Sequence, residues 1–231
     1  MQVVLGEVAD EHWVYALWRA PETNSFAAVR DRLHADYPPA AIDAVLEREY
    51  CPNRALPTRW GKGTCTTWRE AFGRVYADLQ VHAMERGFVH VLAEHGAGEL
   101  MRRYRVEWRA ECVERGGVPR AWGATHGTDV TSVWFWGNGV GGGLAEEGHG
   151  RGKRGEREIV TEFAGPVWEW ICGKGWGSDA DWGARGHKEA RLLRADGSTG
   201  VWQDHLWDAC VKVWNTSRQA MVETSHKDSK L

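Results

Sequence analysis

The stretch from Trp122 to Leu144, WGATHGTDVTSVWFWGNGVGGGL, constrains this chain more than any other. Gly137, Gly139, Gly141, Gly142 and Gly143 carry no Cβ, so the backbone there can take positive φ or lie close against a ligand or another strand. Trp134, Phe135 and Trp136 stand just before them. The plainer reading is a buried strand that ends in a loose turn, because apolar runs bounded by glycine are usually that. The functional reading takes Thr125-His126-Gly127-Thr128, just upstream, as a nucleotide-binding constellation.

The same residue types divide the chain. Ten of the 15 tryptophans follow Gly116-Gly117-Val118-Pro119, and 19 of the 28 glycines fall between Gly123 and Gly200. The expected fold class is therefore α+β, a helical N-terminal half followed by a small, twisted, Trp/Gly-rich sheet. Residues 1–117 form the helical region, 118–216 the Trp/Gly-rich α+β region, and 217–231, ending HKDSKL, a loosely held polar tail.

In the first half, Asn24 and Ser25 can cap a helix that carries Phe26, Val29 and Leu33 on one face, and Tyr37-Pro38-Pro39 ends it. A second helix runs from Ala40 to about Tyr50 with Ile42, Val45 and Leu46 inward, closed by Cys51-Pro52. Thr67 and Glu70 have the spacing of a capping box for a helix striped by Trp68, Phe72, Val75, Tyr76, Leu79 and Ala83, with Gly87 as its terminator. Leu100, Tyr104, Trp108 and Cys112 recur every four residues, which predicts a further helix over Glu99–Arg115 with arginines and glutamates on its solvated side.

In the second half, Val130–Trp136, Arg157–Phe163 and Val167–Cys172 read as strands. Residues 208–214 fit either a helix or a strand, with the strand preferred. Four basic residues from Arg151 to Arg157, interleaved with glycine, could cradle a phosphate or form a solvated loop, and they lack the P-loop order. His90, His95, His149 and His187 have no metal-ligand spacing, and no glycine-flanked serine elbow is present.

At 231 residues the chain can build its core without a metal or disulfide. Its net charge of -3 gives no reason to expect nucleic acid. Five cysteines without a CxxC pair fit a reducing compartment. MQVVLGEVADE lacks the features of a secretion signal, and no run approaches a membrane span, so a soluble, intracellular protein, cytoplasmic by default, is expected.

His126-Gly127-Thr128, the run to Trp136 and Gly143-Leu144 resemble the opening of the ADP-ribosyltransferase fold. Gly165-Pro166-Val167-Trp168 resembles that family's glycine-valine-tyrosine strand, and Asp196-Gly197 with the run to Trp214 its closing strands. The resemblance implies that His126 is the catalytic-site histidine on the nicotinamide ribose of NAD. It also implies that Gly127 and Thr128 grip the cofactor in a cleft lined by Trp134, Trp136 and Trp168. Tryptophan stands for tyrosine in the second motif, and the family's transfer glutamate is missing from Val201–Asn215, with Glu189 and Glu223 out of register. Two functional classes follow: a non-catalytic interaction module or subunit of a larger assembly, its surplus tryptophans covered by a protein partner, and an NAD-dependent transferase that uses His126. The first is preferred because it requires no cofactor and no catalysis.

Overall fold

The computed structural model describes residues 3–57, 65–134, 143–145, 154–174 and 182–228, with side chains through residue 223. It has two compact units: Met1–Glu11 with Leu92–Asp204, and His12–Val91 with His205–Leu231.

The first unit is built on a four-stranded sheet in the order β1 (Val3–Val8), β2 (Met101–Val106), β3 (Glu189–Leu193), β4 (Thr199–Gln203). β1, β2 and β3 run parallel, while β4 returns antiparallel to β3 through a turn at Asp196-Gly197, where Gly197 has φ +84° and the Ser198 amide donates to Asp196 Oδ1 at 2.9 Å. The class is thus α+β, as composition and pattern predict. The sheet, however, takes two of its strands from the region expected to be helical.

β2 corrects the helix expected over Glu99–Arg115. Its alternate residues Met101, Arg103 and Arg105 are buried, and only α6 (Glu111–Arg115) of that stretch is α-helical. Two arginines point inward because each meets a buried acid: Arg103 Nη2 lies 2.7 Å from Asp204 Oδ2, and Arg105 is hydrogen-bonded to Glu7. Arginines inside a sheet mimic the solvated face of a helix, so the period of two is hidden from a sequence reading.

α7 (Glu156–Ile171) replaces the two strands expected at Arg157–Phe163 and Val167–Cys172. Ile159, Val160, Phe163, Ala164 and Val167 share its buried face at helical spacing, and Pro166 sits within it despite the amide it cannot supply. Arg191 of β3 fastens the sheet to this helix by donating to the carbonyls of Phe163 at 3.0 Å and Glu162 at 2.9 Å.

The second unit is helical, with α1 (His12–Trp18), α2 (Phe26–His34), α3 (Pro39–Val45), α4 (Trp68–Ala77), α5 (Ala83–Glu94) and α8 (Trp207–Asp228). Tyr15, Val29, Leu33, Ile42, Leu46, Phe72, Val75 and Tyr76 belong to one buried cluster. The expected caps form: Ser25 Oγ accepts from the Ala28 amide and Thr67 Oγ1 from the Glu70 amide. Glu70 reaches back one residue further than a capping box requires, to the Thr66 amide at 3.0 Å. Gly87 is no terminator. It lies inside α5, where a Cβ would come within 2.2 Å of the Trp214 indole on α8. Residues 208–214, for which a strand was preferred, lie within α8, with Cys210, Val211 and Val213 buried.

Candidate active site

Glu11 and His126 meet beyond the carboxyl ends of the parallel strands, the place where open α/β sheets bind ligands. Three main-chain bonds bring them there. The amide of Ala9, just past β1, donates to Val106 O at the end of β2 (2.9 Å), and that of Asp10 donates to Ala124 O (2.9 Å). Glu107, just past β2, donates through its amide to Leu193 O at the end of β3 (2.8 Å). The turn that carries Glu11 is thereby held beside the turn that carries His126. Gly123 permits the approach: its φ is +60°, and a Cβ there would stand 2.2 Å from Asp10 Oδ2.

Glu11 Oε2 lies 2.6 Å from His126 Nδ1, while Glu11 Oε1 accepts the Val8 amide at 3.4 Å. The two side chains differ in exposure, with 5% of Glu11 and 49% of His126 accessible. A carboxylate only accepts, so this bond places a proton on Nδ1 and leaves Nε2 as the acceptor nitrogen of the neutral ring. The hydrogen bond to Glu11 raises the His126 pKa above its ordinary value; partial burial opposes the shift, and the charges of Glu11 and Asp129 add to it.

A second layer of polar groups lies behind the histidine. Tyr104 donates to Asp129 Oδ2 at 2.7 Å and accepts from Trp134 Nε1 at 3.1 Å. Asp129–Trp134 is a π-helical turn, not the strand expected at Val130–Trp136. Thr131 Oγ1 donates to the Gly127 carbonyl at 2.9 Å and Ser132 Oγ to that of Thr128, which favours helical backbone over the strand that the β-branched composition indicates.

Of the residues singled out from the sequence, His126, Gly127 and Thr128 form one turn, with Gly127 at φ +78° and Thr128 buried. Trp134 ends the π-helical turn next to them. Trp168 lies on α7, packed against the apolar core of its unit, so the stretch compared with a nicotinamide-stacking strand is helical. Trp136 and residues 151–153 of the Arg151–Arg157 stretch lie outside the described residues, while Arg154 is ion-paired with Glu158 and Glu162. Glu11 escaped the sequence reading, which sought a glutamate near the C-terminal end. Its only local signal is an acid just past the short apolar run Val3–Val8.

The chain is 34% identical over 229 residues to a carboxylic ester hydrolase of Gibberella moniliformis, an alignment that covers 98% of this chain and 37% of that protein. It is 28% identical over 217 residues to an uncharacterized esterase/lipase of Schizosaccharomyces pombe, covering 93% of this chain and 36% of the relative. The chain thus spans little more than a third of the length of these relatives. No family model and no solved structure matches it. Both relatives carry the names of ester-cleaving enzymes. That overturns the ADP-ribosyltransferase resemblance with its NAD site, and likewise the preference for a non-catalytic interaction module. No described helix is long and apolar enough to cross a membrane.

Proposed function

We propose that this chain supplies the general base and its orienting acid to a carboxylic-ester hydrolase. The observation that carries the reading is the 2.6 Å contact between a buried glutamate and Nδ1 of a half-exposed histidine, beyond the carboxyl ends of parallel strands. His126 Nε2 takes the proton of an attacking hydroxyl as that oxygen adds to the ester carbonyl. The imidazolium so formed, stabilised by Glu11, then returns the proton to the departing alkoxide, and a water molecule repeats the cycle on the acyl intermediate. Only protein groups, protons and water act on the ester, so this chemistry calls on no cofactor.

The hydroxyl is proposed to come from beyond the described residues. Ser25, Ser132 and Ser198 are engaged elsewhere, respectively in capping α2, in bonding the Thr128 carbonyl and in accepting from Arg194. The relatives have the additional length from which such a group could be drawn.

The test is hydrolysis of p-nitrophenyl butyrate by the 231-residue chain co-expressed with the part of the Gibberella moniliformis relative to which it does not align. Turnover is expected, and His126→Ala should lower it by about 10⁴-fold or more. Equal turnover in the His126→Ala variant, or none in any combination, would overturn the reading.

A further inference from the structure

The His126 turn is held from one side by the amide of Asp10. From the other it is held by an arginine to which the proposed chemistry gives no role. Arg109, just past β2, donates from Nη1 to the carbonyls of Pro119 at 2.6 Å and Gly123 at 3.2 Å, and from Nη2 to that of Val118. Those three carbonyls bracket the 3-10 turn Arg120–Trp122, and Ala124, which accepts the Asp10 amide, follows directly. Among the described residues the guanidinium has no carboxylate at hydrogen-bonding distance. Glu114 and Arg120 act on it only through space, and burial lowers its pKa. A partly desolvated cation held by main-chain oxygens alone, with its buried Nε lacking a partner among the described residues, is costly unless it fixes something. What it fixes is the segment from Val118 to Gly123, one end of which sets where Ala124 and hence His126 stand.

We propose that Arg109 is a positioning residue of the active site, a three-carbonyl clamp that sets the distance between His126 and Glu11. This rests on the reading of those two residues as base and orienting acid, but its test needs no ester turnover. A planar fork can meet several carbonyls at fixed angles, whereas a lysine offers a single point charge. Loosening the fork should let the turn drift, lengthening both the Asp10 amide bond to Ala124 and the His126 bond to Glu11.

The experiment uses the 231-residue chain with Arg109→Gln, Glu11→Gln and the double substitution, following the titration of the His126 ring by NMR and the exchange of the Asp10 amide. Glu11, which is hydrogen-bonded to the ring, and Asp129, through its charge, both raise its pKa. Arg109→Gln is expected to abolish most of the upward shift of the His126 pKa and to speed Asp10 exchange. In the Glu11→Gln background it should move the His126 pKa no further, because the carboxylate whose distance transmits its effect is already gone. An unchanged His126 pKa in a folded Arg109→Gln chain, or an equal fall in both backgrounds, overturns the proposal. Should Arg109→Gln fail to fold, Arg109→Lys decides: a smaller upward shift with faster Asp10 exchange supports the clamp, and both unchanged overturn it. If ester hydrolysis depends on His126 while the clamp fails, the proposed function stands without it. If hydrolysis fails, the titration still reports on the clamp.

Discussion

The phenol ring of Tyr104 lies flat against Gly6, so close that a Cβ on the glycine would sit 2.2 Å from two of its ring atoms and 2.3 Å from a third. The same ring donates to Asp129 and accepts from Trp134, so one glycine in β1 seats the polar layer behind His126. Gly6→Ala is expected to cost about 1–3 kcal/mol by overpacking. Denaturant melts of the two proteins measure it, and a loss below ~0.5 kcal/mol would show that the ring moves aside freely.

Glu11→Gln should remove the charge, and with it the charge-assisted hydrogen bond, that raises the His126 pKa while leaving the backbone in place. Hydrolysis by the complemented enzyme is expected to fall by about 10⁴-fold, the loss seen when an orienting carboxylate becomes an amide. Retention of more than about a tenth of the turnover would assign Glu11 a purely structural role.

The pH dependence follows from the direction of the same shift. The His126 pKa is raised in the folded chain, so the pair adds stability that is fully present below about pH 6.5, the unfolded value, and is lost as pH rises through the folded value. Catalysis needs the neutral ring and runs the opposite way, increasing as pH passes upward through that pKa. Melting temperatures of parent and His126→Ala across pH 5–9 should therefore diverge at the acid end. Divergence at the alkaline end would contradict the assignment.

In the helical unit Asp36 behaves oppositely. Burial would raise its pKa, but hydrogen bonds from Tyr76 and Arg19, with the charges of Arg32 and Arg19, outweigh that and lower it. Its contribution is present above the ordinary carboxylate range and is lost as pH falls through the depressed value. Asp36→Asn is expected to be less stable than the parent at pH 7 and to lose less on acidification to pH 3, as read by thermal melts. Parallel melting curves for the two chains would refute this.

Gly87→Ala brings a methyl group into the indole of Trp214 and should destabilise by about 1–3 kcal/mol. Because both residues belong to the helical unit, the His126 titration is expected to stay as in the parent. A shifted titration would contradict this.

What the sequence made legible was local. Ser25 and Thr67 cap the helices expected of them, and the stripes through Val29 and Leu33 and through Phe72, Val75 and Tyr76 enter one core, because cap and period act within a few residues. The β2 arginines misled because their partners, Asp204 and Glu7, lie about a hundred residues away in either direction. Gly87 misled because its reason is an indole on another helix. His126 was found through the glycine beside it, but its partner was not, since nothing near either residue announces a bond between positions 115 apart.

That separation also sets an order in time. A ribosome adding about 5–20 residues per second completes Glu11 roughly 6–23 seconds before His126, and β3 emerges later still. β2, the strand that pairs with β1, is made before that histidine, and β3, which pairs with β2, after it. A nascent chain halted in its first half after Glu11 therefore holds one member of the Glu11–His126 pair without the other.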